Sequence, residues 1–458
     1  QKTGTTGWRV SAVAVARALA AETRQPVVPV FWLQTEDHDL PEIATCHVPR
    51  ALGAPLALRL DAAPEARIAV AHCTLPDAVT ARLAELRAEI GNLPHAEPHL
   101  ARLERHYRPG VGWSEAFAQT LAELFADEGL VIVDPRDPAL AAAAAPLHRR
   151  ALTDAAALAA ALDASSRVLA ASGHRPAVHV RPGAPLSFFH PDGAEQARHR
   201  LEPAGEGFAE VGTGRTHPLA TLLAALEADP RRFSTSALLR PILQDTLLPT
   251  AAYVAGPGEV AYFAQLAPLY AAYDVAMPLI VPRARLRIIE ARTLDRCARL
   301  GITPADATRP LSELPARPAS GTVLDEAELG RRLVLPFEAE MTALRAEIEH
   351  LGPGLDAAID KTRASVAGAV AKLARKLDAA RRHLDRDRAD ELQQLQWALA
   401  PDGAPQERVY GLAYFAARYG ERPFLDRVLA EIVPFDPTPK DVVWSAPAPA
   451  RPAAVARG

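Results

Sequence analysis

The chain predicts an α/β fold, a doubly wound sheet core followed by a long helical segment. Three observations carry this reading. A short Val-rich run, Val27–Leu33, is followed two residues later by four consecutive ionisable residues, Glu36, Asp37, His38 and Asp39. The same grammar returns further on. Phe117, Leu121, Leu124 and Phe125 have the spacing of a core-facing helix, Gly129 ends it, and the apolar run Leu130–Val133 leads into Asp134-Pro135-Arg136-Asp137-Pro138. Short apolar runs bounded by polar residues read as buried strands, and their alternation with helices is the pattern of a doubly wound sheet. Lastly, Glu326–Leu399 is rich in Ala, Leu, Arg and Glu, and Val366, Val370, Leu373, Leu377, Ala380 and Leu384 step along it as a coiled-coil seam.

The elements follow in order. Thr3-Gly4-Thr5-Thr6-Gly7 reads as a Gly/Thr turn before a helical stretch, Ser11 to Glu22. Pro49 to Arg108 is polar and rich in Ala and Pro, and holds a helix, Pro76 to Ile90, with Leu83, Leu86 and Ile90 on one stripe. Asp154 to Arg232 is irregular, with short strands expected at Val178–Val180 and Leu186–Phe189 around the turn Arg181-Pro182-Gly183. The core pattern resumes at Ser234. Gly256-Pro257-Gly258 is a tight turn opening a helix at Glu259, and such a turn could cradle an anion on its N–H groups. Met277–Val281 is a further strand, followed by Arg283, Arg285 and Arg287, which suit phosphate or carboxylate but equally a solvated edge. Gly352-Pro353-Gly354 separates two long helices and Pro401-Asp402-Gly403 ends the second. A short helical unit runs to Ile432, and the Pro/Ala-rich tail after Phe435 reads as disordered. The domain reading is a core in two parts, 1–153 and 234–320, an inserted subdomain at 154–233, coiled-coil helices at 321–400, a helical unit at 401–435 and a tail at 436–458.

Composition narrows the function. The 458 residues are 49% hydrophobic and 23% charged, an ordinary globular balance. A net charge of −4 argues against general nucleic-acid binding. Lysine occurs only at Lys2, Lys361, Lys372, Lys376 and Lys440, so no P-loop lysine and no Schiff-base lysine sits in the body of the chain. Cys46, Cys73 and Cys297 are few and widely spaced, which points to reduced thiols in a cytoplasmic protein. A zinc site from Cys46-His47 and His72-Cys73 is a weak alternative, because the spacing matches no familiar pattern. No apolar run is long enough to span a membrane, and no signal peptide is visible. The chain opens on Gln1 rather than Met and reads as lacking its natural start.

Chemistry concentrates after Leu33. Ligands in open α/β sheets bind beyond the carboxyl ends of strands. Three carboxylates and an imidazole crowded there are costly without a ligand, cation or basic partner. The plain alternative is a solvated strand-to-helix turn with Asp39 as N-cap before Pro41.

Four segments together resemble one family, the bacillithiol biosynthesis cysteine-adding enzymes, also called cysteine ligases or BshC. They are F-W-L-Q-T-E-D-H-D-L-P-E-I (Phe31–Ile43), L-A-E-L-F-A-D-E-G-L-V-I-V-D-P-R-D-P (Leu121–Pro138), R-P-I-L-Q-D-T-L-L-P-T-A-A-Y-V-A-G-P-G-E-V-A-Y (Arg240–Tyr262) and P-D-G-A-P-Q-E-R-V-Y (Pro401–Tyr410). The resemblance implies a Rossmann-like core with inserted segments and a C-terminal coiled coil forming a homodimer. It implies a ligase joining the carboxyl of cysteine to the amine of glucosaminyl-malate, the last step of bacillithiol synthesis. The activating co-substrate is unassigned, with ATP, together with Mg²⁺, as the suspected one. Carried over by position, Glu36, Asp37, His38 and Asp39 are the catalytic candidates. His38 is an acid, a base or a phosphoryl contact, and Asp37 or Asp39 positions the substrate amine or Mg²⁺. Thr3, Gly4, Arg240, Gln244, Asp245, Tyr253, Gly256, Gly258 and Glu259 are the substrate-binding candidates, Arg240 for malate carboxylates or a phosphate. A buried ion pair of Arg240 with Asp245 is the structural alternative.

The opening departs from the family pattern, which carries a longer glycine-rich segment with T-G-Q-Q, G-G-P and aromatic residues. Here Thr3-Gly4 runs directly into Thr5-Thr6-Gly7-Trp8. Two other readings stay open on sequence: a nucleotidyltransferase-like enzyme or metal-assisted hydrolase on the same fold, and an inactive coiled-coil dimer with a decayed site.

Overall fold

The computed structural model describes residues 3–50, 52–61, 67–314, 326–348, 350 and 354–445. The described residues form two compact units, those up to Ile288 with Pro405–Val443, and those of Ile289–Ala404 with Trp444 and Ser445.

The first unit opens with a helix, Thr3–Thr23. The Gly/Thr turn expected at Thr3–Gly7 is instead the start of this helix. Helix propensity is a weak prior, and the Ala- and Val-rich stretch that follows, with Val10, Val13 and Val15 buried, propagates the helix backward through two glycines. Strand β1 (Val30–Trp32) comes next, then an antiparallel pair, β2 (Thr45–Val48) and β3 (Leu56–Arg59), and then β4 (Val131–Val133). The buried strand expected over Val27–Leu33 is shorter and partly exposed, with Val28 at 56% and Val30 at 36%. Pro26 and Pro29 have no N–H to donate to a ladder. β1 and β4 are parallel and end in register, Trp32 opposite Val133.

Residues 154–233 are more regular than the sequence suggested. A helix, Ala155–Ala171, leads into a five-stranded antiparallel sheet of β5 (Ser187–Phe189), β6 (His199–Ala204), β7 (Gly207–Glu210), β8 (Thr216–Pro218) and β9 (Phe233–Thr235), in the order β8-β7-β6-β5-β9. Val178–Val180 is not a strand. Gln265 holds Val178 through its main-chain N–H and C=O, which removes both groups from any ladder. The strand expected at Leu186–Phe189 is β5; the rest of the antiparallel sheet escaped the sequence reading because its strands are three to six residues long and broken by Pro203, Gly205 and Gly212.

A second parallel pair follows, β10 (Ala252–Ala255) with β11 (Leu279–Pro282). Trp32 of β1, Tyr253 of β10 and Ile280 of β11 all pack on one apolar cluster that includes Leu158, Leu162, Leu239, Ile242, Leu243 and Phe263. Both parallel pairs thus rest on the same helical layer. β12 (Leu286–Glu290) pairs with β13 (Lys440–Trp444), and Arg287 grips Asp441 at 2.8 and 2.9 Å. Part of the tail read as disordered is therefore an ordered strand, held by backbone pairing and this ion pair. Arg283 is likewise spoken for, 2.6 Å from Glu407.

The second unit holds the long helices, Leu335–Ile348 and Gly354–Leu399. Arg345 reaches Asp360 at 2.6 Å, and Arg363 pairs with Glu338, so the two helices are laced by ion pairs. Gly352-Pro353 lies outside the described residues. Leu395, Leu399 and Ala400 close a small core with Ile289, Cys297 and Ile302. On the expected seam, Val366 and Val370 are half-buried, whereas Leu373 and Leu377 are 44% and 36% exposed.

Two histidines in the first unit are buried as neutral groups. Burial lowers His148 to about 4 and His190 to about 3. A histidine that resists protonation when folded but titrates normally when unfolded leaves stability untouched above its ordinary pKa and subtracts from it below. The loss is about 1.4 kcal/mol per pH unit for each group as pH falls from about 6.5 towards the folded values. Urea unfolding midpoints should therefore drop steeply between about pH 6.5 and about pH 4.5, and His148→Gln should flatten that dependence by about half of the histidine contribution.

Candidate active site

β1 and β4 stop side by side, so the loop after each reaches the other. Thr35 Oγ1 donates to Asp134 Oδ1 at 2.5 Å, which ties the two carboxyl ends together. The loop after β1 is fixed further by Val70 N–H on the carbonyl of Asp37 (2.7 Å) and Ala71 N–H on that of Thr35 (3.0 Å). Its four ionisable side chains then part company.

Glu36 turns inward and is 4% exposed. Its Oε2 accepts the Thr235 hydroxyl at 2.6 Å and the Thr235 main-chain N–H at 3.0 Å. Burial pushes its carboxyl above the usual carboxylate range, with the Thr235 bonds, Arg136 and Arg198 opposing. Asp37 Oδ1 accepts from Arg198 Nη2 at 2.6 Å and from the His38 N–H at 2.7 Å. His38 Nδ1 faces Arg198 Nε at 2.8 Å. Burial and then the Arg198 charge lower the imidazole below its ordinary value, against Asp37. Asp39 takes the plain alternative: it is exposed and caps the short helix Leu40–Ile43, its Oδ1 accepting the Glu42 N–H at 3.3 Å, with Pro41 in the first turn.

The basic partner that the acid cluster required is Arg198, just ahead of β6 and 6% exposed, with its guanidinium 4.4 Å over the Phe188 ring. A second cation, Arg136, follows β4. Its Nη2 donates to the carbonyls of Ala194 (2.6 Å) and Arg231 (3.2 Å), and no carboxylate lies within ion-pair distance of it among the described residues. Behind them His190 Nδ1–H donates to the Gln196 carbonyl (2.9 Å), and Nε2 accepts the Ser234 hydroxyl (3.2 Å). Sequence reasoning missed Arg198, Arg136 and Thr235 as site residues. Arg136 and Thr235 adjoin segments already singled out, at the end of a strand and at the restart of the core pattern. Arg198 carried no signal, because it lies in the stretch read as irregular.

The remaining predicted residues form a second, separate group. Arg240, at the start of helix Arg240–Leu247, is 7% exposed. Its Nη2 donates to the hydroxyls of Tyr253 (2.6 Å) and Tyr262 (2.7 Å), and its Nη1 to Gln244 (3.3 Å). The carboxylate facing it is Glu259 at 3.6 Å, rather than Asp245. Asp245 instead accepts from Tyr270 (2.5 Å) and Gln244 (3.2 Å), and burial raises its carboxyl. Glu259 closes the ring, accepting Tyr253 O–H at 2.6 Å and the Gly256 N–H at 2.7 Å. The G-P-G turn thus holds an anion of its own, and Pro257 offers no N–H. Gly258 has open space where a Cβ would stand. No hydrogen bond or ion pair among the described residues joins this network to the Glu36 group. Thr3 and Gly4 lie in the first turn of the opening helix. Among the described residues no three His, Cys, Asp or Glu side chains converge to hold a metal; Cys46 and Cys73 direct their thiols to main-chain carbonyls.

Parallel strands ending in a charged loop, tied to an inserted antiparallel sheet through Thr235 and Arg198, define a Rossmann-like α/β protein with its candidate site at the strand ends. Comparison with known proteins gives the family. Residues 9–284 match the Bacillithiol biosynthesis BshC N-terminal Rossmann-like domain, and residues 336–440 match the Bacillithiol biosynthesis BshC C-terminal coiled-coil domain. Three relatives carry the name "Putative cysteine ligase BshC". The one from Salinibacter ruber is 34% identical over 87% of this chain and 73% of its own length. Those from Solibacter usitatus and Koribacter versatilis are 31% and 32% identical, over 86% and 89% of this chain and 73% and 75% of theirs. The chain belongs to the BshC family.

Thr235→Val should destabilise the protein by about 1–3 kcal/mol, because the buried Glu36 loses a hydroxyl donor that nothing replaces, whereas Thr235→Ser should be near neutral; urea denaturation measures both. Arg240→Met should cost about 3–5 kcal/mol, since it leaves Glu259 and two tyrosine hydroxyls buried without their cation. In the Glu259→Gln background the same change should cost less, which a double-mutant cycle reads directly.

Proposed function

We propose that this chain is the ligase that adds cysteine to glucosaminyl-malate in bacillithiol biosynthesis. The observation that carries the reading is membership of the BshC family through both of its domains, with relatives bearing the cysteine-ligase name. The site supports it. Amide formation needs an amine held near an activated carboxyl, with anionic oxygens accommodated as charge develops.

The first group supplies each part. Asp37 is partly exposed and its Oδ2 has no hydrogen-bond partner among the described residues, so it is placed to hold the sugar ammonium. Arg136 spends Nη2 on the carbonyls of Ala194 and Arg231 and keeps Nε and Nη1 without partners among the described residues, single donors for an oxygen of the malyl group. Glu36 is a brace rather than a reactant, since both of its contacts are to Thr235 inside the fold. The Arg240 network is bonded within itself and has no part in this reading.

Amide formation from a free carboxylate is uphill in water, and ATP is the proposed activator, on the strength of the family resemblance. The G-P-G turn does not fit its phosphates, because Glu259 already takes the Gly256 N–H.

The exposed Leu373 and Leu377 on helix Gly354–Leu399 support a homodimer through the coiled coil. Sedimentation equilibrium should then give twice the chain mass, and Leu373→Glu with Leu377→Glu should give the single chain. No helix among the described residues is long and apolar enough to cross a membrane.

The decisive experiment is the thiol and aminosugar profile, by mass spectrometry, of cells lacking their own cysteine-adding enzyme. Expression of this chain should consume accumulated glucosaminyl-malate and restore bacillithiol. An unchanged profile with soluble protein present would overturn the reading. Arg136→Leu should raise the glucosaminyl-malate level required, lowering bacillithiol about tenfold or more at limiting substrate.

A further inference from the structure

The contact between Arg198 and His38 fixes the position of a proton. Arg198 Nε lies 2.8 Å from His38 Nδ1. Guanidinium nitrogens donate hydrogen bonds and never accept them. His38 Nδ1 therefore presents its lone pair, and the neutral ring carries its proton on Nε2. The opposite tautomer would set an N–H on Nδ1 head-on against the Arg198 N–H.

The guanidinium is not free to swing aside. Its Nη2 is anchored on Asp37 Oδ1 at 2.6 Å, its face lies 4.4 Å over the Phe188 ring, and the residue is 6% exposed. His38 itself is half-buried, with 35% of its side chain exposed, and Nε2 has no partner among the described residues and is not enclosed. The inner nitrogen is occupied and the outer one is open to a ligand.

We infer that His38 works at this site as a neutral hydrogen-bond donor through Nε2–H, directed to a negatively charged oxygen of the bound substrate, and that Arg198 is the positioning residue that holds it in this tautomer. A general base at this position would need the Nε2 lone pair, which the Arg198 contact denies. The charged groups around the ring are Arg198 and Arg67 on one side of the balance and Asp37 and Asp39 on the other. An imidazolium would have to break the bond to Arg198 and stand beside its charge. The identity of the anionic oxygen, a carboxylate or an amide-forming intermediate, rests on the ligase reading. The tautomer does not.

Two measurements test this. Long-range ¹H–¹⁵N correlation NMR of the ¹⁵N-histidine-labelled full chain reads the ring tautomer, with His38 assigned by its loss in His38→Gln. The expected result near neutral pH is the Nε2–H form for His38, replaced by a mixed pattern in Arg198→Leu. An Nδ1–H form, an imidazolium, or a pattern unchanged in Arg198→Leu would overturn the assignment to Arg198. The second measurement uses bacillithiol formed per amount of soluble protein in cells lacking their own ligase. The glutamine amide nitrogen can stand where Nε2–H stands, so His38→Gln should keep activity within about tenfold of the unsubstituted chain, and His38→Ala should lose about 100-fold or more. Equal loss in both, with both proteins folded, would refute the donor role. A chain that restores no bacillithiol even unsubstituted would sink the ligase reading alone, while the NMR result still decides the tautomer.

Discussion

The structure of the first unit depends on one buried carboxylate. Glu36 leaves the end of β1 and is received inside the protein by the hydroxyl and main-chain N–H of Thr235, the last residue of β9. A buried carboxyl is stable only with its hydrogen bonds satisfied. The pairing therefore sets where the antiparallel sheet of the insertion stands relative to the parallel core. Arg198 repeats the connection a few residues away, reaching from the same insertion to Asp37 and His38. The insertion is thus not an appendage to a finished site. It supplies the cation and the hydroxyl without which the acidic loop would be an expensive assembly of like charges.

The two polar groups of this unit look alike in sequence and differ in kind. Both set arginine against carboxylates and hydroxyls at the carboxyl end of a parallel strand. In the Arg240 network the chain answers itself: Tyr253, Tyr262 and Gln244 take three N–H donors of the guanidinium, Glu259 faces it at 3.6 Å, and Glu259 also takes the N–H at the glycine turn. Such a ring specifies packing between helix Arg240–Leu247 and β10. Around Asp37 the accounts stay open. One oxygen of Asp37, the outer nitrogen of His38 and the Nε and Nη1 donors of Arg136 have no partner among the described residues and lie at the strand ends. Unspent valences separate a site from a brace.

This contrast explains how much the sequence could tell. β1, β4, their parallel kinship and the acidic loop were legible, because an apolar run broken by charge has one common structural meaning. The role of each acid was not. Glu36, Asp37, His38 and Asp39 are adjacent in the chain, yet one is buried, two share a cation and one caps a helix, and only the partners decide which. Those partners, Thr235 and Arg198, are 199 and 161 residues away from the groups they bind. Beyond β5 the insertion stayed illegible for a local reason as well, since strands of three to six residues interrupted by Pro and Gly give no usable period. Leu373 and Leu377 illustrate the reverse case. Their spacing announced a seam, and in the single chain they face solvent, so the pattern speaks of a surface whose burial the chain alone does not provide.

The proton assignment at His38 bears on where base chemistry can reside. With Nδ1 engaged by a group that only donates, the ring offers a donor to the ligand and no acceptor. On the ligase reading proposed above, the sugar amine that attacks a carboxyl must nonetheless lose a proton. Of the acidic residues in the loop, Glu36 is sealed against Thr235 and Asp39 is spent on a helix N-terminus. Asp37 keeps Oδ2 without a hydrogen-bond partner among the described residues, and its other oxygen is fixed by Arg198 and by the His38 main-chain N–H. That arrangement holds the carboxylate plane rigid, which favours orientation of an ammonium over strength as a base. The division that results is one of geometry. Arg198, through a single guanidinium, holds Asp37 and His38 together, so that on the ligase reading proposed above an acceptor for the amine and a donor for the anion sit on neighbouring residues of one short loop.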